Sequence, residues 1–179
     1  MAVVVETVLF DTAVGWCALA WHQDGIVGAC LPQADRAALD ERWGKMFPEG
    51  HRTAVMPAAA DEVRRHLAGE ASAMEALVID YAGVPELYAR VYRAARAIPA
   101  GTTRTYGELA ASIGCPGAAR AVGQALGKNP FAPVVPCHRI LAAGAKMGGF
   151  SAHGGLATKQ RLLAIEGAWP LGDTTVALF

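Results

Sequence analysis

The sequence predicts an α+β fold in two parts, a strand-rich N-terminal half followed by a mostly helical C-terminal half. Three observations carry that expectation. Short apolar stretches bounded by turn residues run up to Leu31, whereas from Pro85 onward apolar residues recur at helical spacing. Ala82-Gly83-Val84-Pro85 separates the two patterns, and a proline suits the start of a helix. The charge also changes sign nearby: residues 1–90 hold 7 Lys and Arg against 13 Asp and Glu, and residues 91–179 hold 9 against 3. The expected division is therefore 1–82 and 83–179. With 53% hydrophobic and 18% charged residues, the chain can bury a sizeable core, and global disorder is excluded.

Element by element, VVVETVLF (3–10) reads as a strand. GWCALAW (15–21) and IVGACLP (26–32) read as a hairpin across QDG, with Asp24-Gly25 suited to a primed turn. ADRAALDERWGKMF (34–47) and AAADEVRRHLAGE (58–70) read as helices turned inward by Leu39, Trp43 and Met46 and by Val63 and Leu67. LVIDY (77–81) reads as one more short strand. In the second half, Leu87, Val91, Ala94 and Ile98 form an apolar stripe stopped by Pro99 and Gly101. Thr105-Tyr106-Gly107-Glu108 fits a capping box and opens a short helix through Ile113. Gly114-Cys115-Pro116-Gly117 is a tight turn, and residues 118–127 form a second short helix. Such a pair is a helix-turn-helix candidate, although purely structural bundles contain the same pattern. Arg120 is the only charge among Ala118, Ala119, Ala121, Val122 and Gly123, so it projects from a surface that a partner can approach closely. A solvated surface arginine is the plainer reading.

Several classes are excluded or disfavoured. The longest apolar runs fall well short of the roughly 18 residues needed to span a bilayer. The N-terminus has no basic region and meets acids at Glu6 and Asp11, so no signal peptide is expected. Cys17, Cys30, Cys115 and Cys137 lie far apart without a C-x-x-C pair, which argues against a disulfide framework or metal knuckle. A reducing cytoplasm is the expected location. No metal and no cofactor is expected. The net charge of zero conceals a basic half able to meet phosphates.

VVPCHRIL (134–141) sets a thiol beside an imidazole and a guanidinium. A free cysteine is only about 3% thiolate at pH 7, so a neighbouring base or cation can raise the reactive fraction by roughly 30-fold and no more. Any further acceleration must come from positioning the electrophile. Neighbours on a strand point to opposite faces, so Cys137 and His138 cooperate only if the chain turns there, as Pro136 allows. The tetrad alone is equally compatible with an inert buried cysteine.

Taken together, IPAGTTRTYGELA, AARAVGQALGKNP, VVPCHRIL and GGFSAHGGLATKQRLLAIEG, in that order, resemble the O6-alkylguanine-DNA alkyltransferase family, the methylated-DNA–protein-cysteine methyltransferases. The resemblance runs from about Val84 to Gly167 and is only loose in the first half. It implies an RNase H-like N-terminal domain followed by a winged-helix-like DNA-binding domain with a helix-turn-helix. It also implies repair of O6-alkylguanine, and of O4-alkylthymine, in double-stranded DNA by a protein working as a monomer without an obligate protein partner. Location would be cytoplasmic, nucleoid-associated in a bacterium or nuclear in a eukaryote.

Residue by residue, the resemblance implies that Cys137 is the acceptor nucleophile and His138 its base through a bridging water, held by Glu166. Asn129 would brace the site. Tyr106 would contact the flipped nucleotide and protonate the departing guanine. Arg120 would fill the hole left in the duplex, with Ala119, Gly123 and Arg139 as further DNA contacts. Pro136, Phe150 and Ser151 would line the substrate pocket, Ser151 recognising the O6 side. Phe150 stands where many members carry a tyrosine, and Ala152-His153 are extra relative to shorter members. Leu87 replaces a frequent aromatic residue. The pattern of first-half metal ligands found in some relatives is not matched by Cys17, His22 and Cys30.

Two other readings compete. A winged-helix protein that binds lesions without reacting gives no reason for Cys137, His138 and Glu166 together. A Cys–His hydrolase predicts repeated turnover and leaves Arg120 and Tyr106 without a role.

Overall fold

β1 (Glu6–Thr12), β2 (Gly15–His22) and β3 (Gly25–Cys30) form an antiparallel meander in the computed structural model, which describes residues 4–72 and 74–168. β4 (His51–Arg52) joins β1 in parallel, giving the order β3-β2-β1-β4. Residues Cys17 to Ala20 of β2 are buried on both faces, and the reason is the alternation of the strand. Ala18 and Ala20 face α1 (Arg36–Met46), packing on Leu39 and Trp43. Cys17 and Leu19 face the opposite way, with Val8 and Phe10 of β1, into the main core.

The hairpin is where the sequence places it, but its turn differs. His22 pairs with Gly25, so Gln23 and Asp24 are the central residues, and the positive φ of 140° falls on Gly25 as β3 begins. The Asp24-Gly25 primed turn is therefore corrected. A Cβ on Gly25 would lie 2.9 Å from the Val78 carbonyl oxygen, because the 78–80 segment runs alongside. That segment, expected as a strand, makes one parallel bridge, Ile26 to Ile79. Asp35 caps α1 by accepting from the Ala38 amide at 2.8 Å. Leu39 and Trp43 point inward as expected, whereas Met46 is 37% exposed at the helix end. α2 (Ala58–Leu67) buries Val63 and Leu67 as expected, and His66 as well.

The second half is helical. α3 (Glu86–Arg96) follows Pro85 and buries Ala89, Val91, Tyr92 and Ala95, so its seam is turned from the expected stripe: Leu87 and Ala94 are only partly buried. Tyr92 draws the helix inward, since its buried hydroxyl donates to the Ala125 carbonyl at 2.8 Å. β5 (Arg104–Thr105) leads into α4 (Tyr106–Ser112), and the capping box is present in both directions. α5 (Ala119–Gly127) follows the expected tight turn. β6 (Ile140–Leu141) pairs in parallel with β5, and α6 (Gly155–Ile165) closes the described chain.

One buried cluster runs across the expected boundary, joining Val8, Phe10 and Leu19 to Val91, Val122 and Leu162. The free edge of β3 reaches into the second half, where the Ala29 amide donates to the Pro130 carbonyl at 2.8 Å. That contact fixes the loop from which the thiol site grows. Among the described residues, no helix is long and apolar enough to cross a membrane.

Candidate active site

Asn129 sits at the start of that loop and ties it to itself. Its Nδ2 donates to the Val135 carbonyl at 2.9 Å, and its Oδ1 accepts from the Phe131 amide at 3.0 Å. The chain then turns at buried Pro136, and Cys137–Arg139 form a single 3₁₀ turn. The local requirement set by the sequence is thereby met: Cys137 and His138 occupy one turn rather than opposite faces of a strand. Cys137 is half-buried, and His138 is fully buried.

Burial pushes the Cys137 thiol above its ordinary range, and the opposing pulls of the Asn129 amide and the Lys159 charge do not reverse it. The neighbours favour the thiolate, but burial outweighs them. At rest the group is therefore a thiol, and any bond formed at this sulfur has to be accompanied by loss of its proton.

The imidazole is arranged to leave one ring nitrogen free. His138 Nε2 lies 2.8 Å from Glu166 Oε1. A carboxylate only accepts, so Nε2 carries the hydrogen and Nδ1 presents its lone pair. That Nδ1 is buried and has no hydrogen-bond partner among the described residues. Burial lowers the imidazole pKa against the pull of Glu166, which keeps the ring neutral and able to act as a base.

Glu166 follows α6 as its C-cap, with a side chain 1% exposed. Oε1 accepts from His138 Nε2, His66 Nε2 and Arg139 Nη2, each at 2.8 Å, and Oε2 accepts from Arg139 Nε at 2.9 Å. Burial pushes the carboxyl pKa up, but these hydrogen bonds outweigh it and hold the group well below the usual carboxylate range. Arg139 is thus corrected. Expected at the DNA, it is 7% exposed, forked onto Glu166, and donates to the Ile98 carbonyl at 2.5 Å.

Of the other expected residues, Tyr106, Gly123, Phe150 and Ser151 line a cleft of about 320 Å³ with Cys137 and Gly149, whereas Pro136, expected there, lines a different cavity with His66 and Glu166. Tyr106, the first residue of α4, points its hydroxyl at the Gly149 carbonyl, 3.5 Å away. Burial and then Cys137 raise its pKa, so it keeps its proton. Gly148 has a φ of 63°, and a Cβ there would stand 3.3 Å from the Tyr106 ring. Arg120, the second residue of α5, is exposed and meets no partner among the described residues, while Ala119 and Gly123 are partly buried on the same helix. A second cleft of about 230 Å³ shares Cys137 and Ser151 and is lined also by Ala152, His153 and, from the first half, Cys30 and Arg42. Ala152 and His153 therefore share a cleft with Cys137.

Two members of this neighbourhood escaped sequence reading. Lys159 is fully buried and donates to the carbonyls of Ile140 and Met147, both at 2.6 Å, anchoring the segment that leads to Phe150 and Ser151. Its pKa is lowered to about 8, chiefly by burial. His66 arrives from α2 in the first half. Neither carries a local motif; a lysine at helical spacing and a histidine in a charged run read as surface. Among the described residues, no group of three or more His, Cys, Asp or Glu side chains is placed to hold a metal.

The depressed pKa values predict acid sensitivity. An unfolded chain binds protons at these groups that the folded one refuses, so stability falls as pH falls. Lys159 loses its share between about pH 10.4 and about 8, His138 follows below about pH 6.5, and Glu166 extends the loss below about pH 4.3. Melting temperature followed from pH 8 to pH 4 should drop, with the first decline weakened in His138→Gln.

A cysteine shielded in this way, with a neutral base beside it and a cleft before it, suits a protein that accepts a group onto sulfur from an electrophile brought to it. Known proteins of similar sequence agree with that class. The family described as "6-O-methylguanine DNA methyltransferase, DNA binding domain" matches residues 86–168. A methylated-DNA–protein-cysteine methyltransferase of Mycolicibacterium paratuberculosis is 49% identical over 108 residues, covering 60% of this chain and 63% of that protein. One from Mycobacterium leprae is 39% identical over 156 residues, covering 87% and 88%. The crystal structure of Mycobacterium tuberculosis OGT in complex with DNA superposes with a TM-score of 0.72 at 34% identity, covering 91% and 93%. The chain belongs to the methylated-DNA–protein-cysteine methyltransferase family.

Proposed function

We propose that this chain repairs DNA by moving the alkyl group of O6-alkylguanine, and of O4-alkylthymine, onto its own Cys137, once per molecule. The observation that carries the reading is the Glu166–His138 pair behind Cys137, at a cleft that Tyr106 also lines. The Cys137 sulfur attacks the alkyl carbon in line with the guanine oxygen. The carbon–sulfur bond forms as the carbon–oxygen bond breaks, and the electron pair stays on the base. The thiol proton passes through a bridging water to His138 Nδ1, and Tyr106 supplies a proton to a ring nitrogen of the departing guanine. A thioether is a poor leaving group, so the acceptor is consumed.

The alkylated oxygen lies within the base stack, so the nucleotide has to swing out, at a cost of a few kcal/mol that is smallest for a badly paired lesion. Arg120, exposed on α5 with Ala119 and Gly123 beside it, fills the duplex from the minor groove. Ser151 and Phe150 bound the base, and Asn129 braces the acceptor loop. In this reading residues 1–82 form an RNase H-like domain and residues 83–179 a winged-helix-like domain whose α4–α5 pair is the helix-turn-helix. The described chain ends at 168 within it. The protein acts as a monomer on double-stranded DNA, in the cytoplasm or nucleoid.

With lesion duplex in excess, methyl transfer should stop at one per chain; continued turnover would refute the acceptor chemistry. Arg120→Ala should slow transfer from duplex at least about tenfold while sparing transfer from free O6-methylguanine, because only the duplex has a base to extrude. Equal losses on both substrates would remove the inserted-arginine role.

A further inference from the structure

We propose that His66 is a positioning residue for alkyl transfer, holding the Glu166 carboxylate so that His138 keeps Nδ1 free as the proton acceptor; this rests on the transfer reaction proposed above. His66 belongs to α2, in the half of the chain that carries no other member of the relay, and lies 100 residues from Glu166 in sequence.

The geometry is specific. His66 Nε2 is 2.8 Å from Glu166 Oε1, the same oxygen that receives His138 Nε2, and the two side chains are 10% and 1% exposed. Because the carboxylate only accepts, His66 also carries its hydrogen on Nε2. Its Nδ1 lies 3.2 Å from the Ser72 hydroxyl, which holds the ring from its far side. A chain of contacts results, from Ser72 through His66 to Glu166, meeting the hydrogen from His138 at a shared oxygen.

Arg139 grips both carboxylate oxygens from one side. His66 adds a donor from a separate element, so that the group is held from two directions. A carboxylate gripped by Arg139 alone keeps more freedom to turn about its last bond. A turn of that kind would let His138 change tautomer, placing a hydrogen on the nitrogen that has to receive one. His66 touches neither the thiol nor the cleft, so its influence runs through Glu166 and His138.

The test uses the full chain and a duplex containing O6-methylguanine, with the first-order transfer constant measured in the preformed complex and affinity and melting temperature measured alongside. His66→Ala should slow transfer roughly tenfold, less than loss of the base itself, with lesion affinity unchanged. His66→Gln places an amide donor near the Nε2 position and should recover most of the rate. A His66→Ala chain with the wild-type transfer constant overturns the proposal. So does a loss in both variants that follows affinity or melting temperature, since that marks a packing role. If the wild-type chain itself leaves Cys137 unmodified, the transfer reaction falls and this inference with it; an active wild type with an equally active His66→Ala sinks the inference alone.

Discussion

Cys137→Ala is expected to abolish alkyl transfer completely while leaving binding to lesion duplex measurable. The loss is total because, in the proposed reaction, Sγ of Cys137 is the atom that forms the new bond. Cys17 is buried in the sheet with its pKa raised to about 12, Cys30 is buried and raised by desolvation, and Cys115 lies in the turn between α4 and α5. Binding should survive because α5, Arg120 and Tyr106, the proposed DNA contacts, stand on elements that do not depend on the sulfur. Fluorescence anisotropy with a lesion duplex should show an affinity near that of the parent, while the protein mass stays unchanged. Transfer by the alanine chain would place the acceptor elsewhere.

Glu166→Gln is expected to give the second-largest effect, and in two quantities at once. Transfer should slow by about 10²–10⁴, the range associated with a positioned base, because His138 loses the charge that fixes its tautomer and stabilises its protonated form. Stability should fall by about 3–5 kcal/mol, because Arg139 remains buried without its counter-charge and its Nε then faces an amide that can donate as well as accept. The two effects separate if transfer is timed well below the melting temperature. A variant that melts lower but transfers at the parental rate would make Glu166 a structural anchor only.

Much of this fold is legible because its signals are local. The Thr105–Glu108 capping box needs four consecutive residues, and both of its hydrogen bonds are present. The β2–β3 hairpin, the start of α3 after Pro85 and the pairing of α4 with α5 likewise follow from spacing and turn chemistry. The corrections all come from tertiary contacts. The turn glycine serves β3 rather than the turn itself, since the 78–80 segment crowds it. Tyr92 rotates the α3 seam toward Ala125. Arg139 shows the limit most clearly: beside a reactive thiol a cation reads as a ligand for phosphate, yet its fork matches a carboxylate 27 residues away. His66 had no local signal at all, because its partner lies in the last turn of the described chain.

Whether Cys137 takes an alkyl carbon from damaged guanine is decided by peptide mapping by mass spectrometry, after incubation with a stoichiometric duplex containing O6-methylguanine. One methyl group per chain is expected, located on the peptide carrying residues 134–139 and on its sulfur, with unmodified guanine restored in the DNA. A chain whose Cys137 stays unalkylated after prolonged exposure, or whose methyl group maps to another residue, would contradict it.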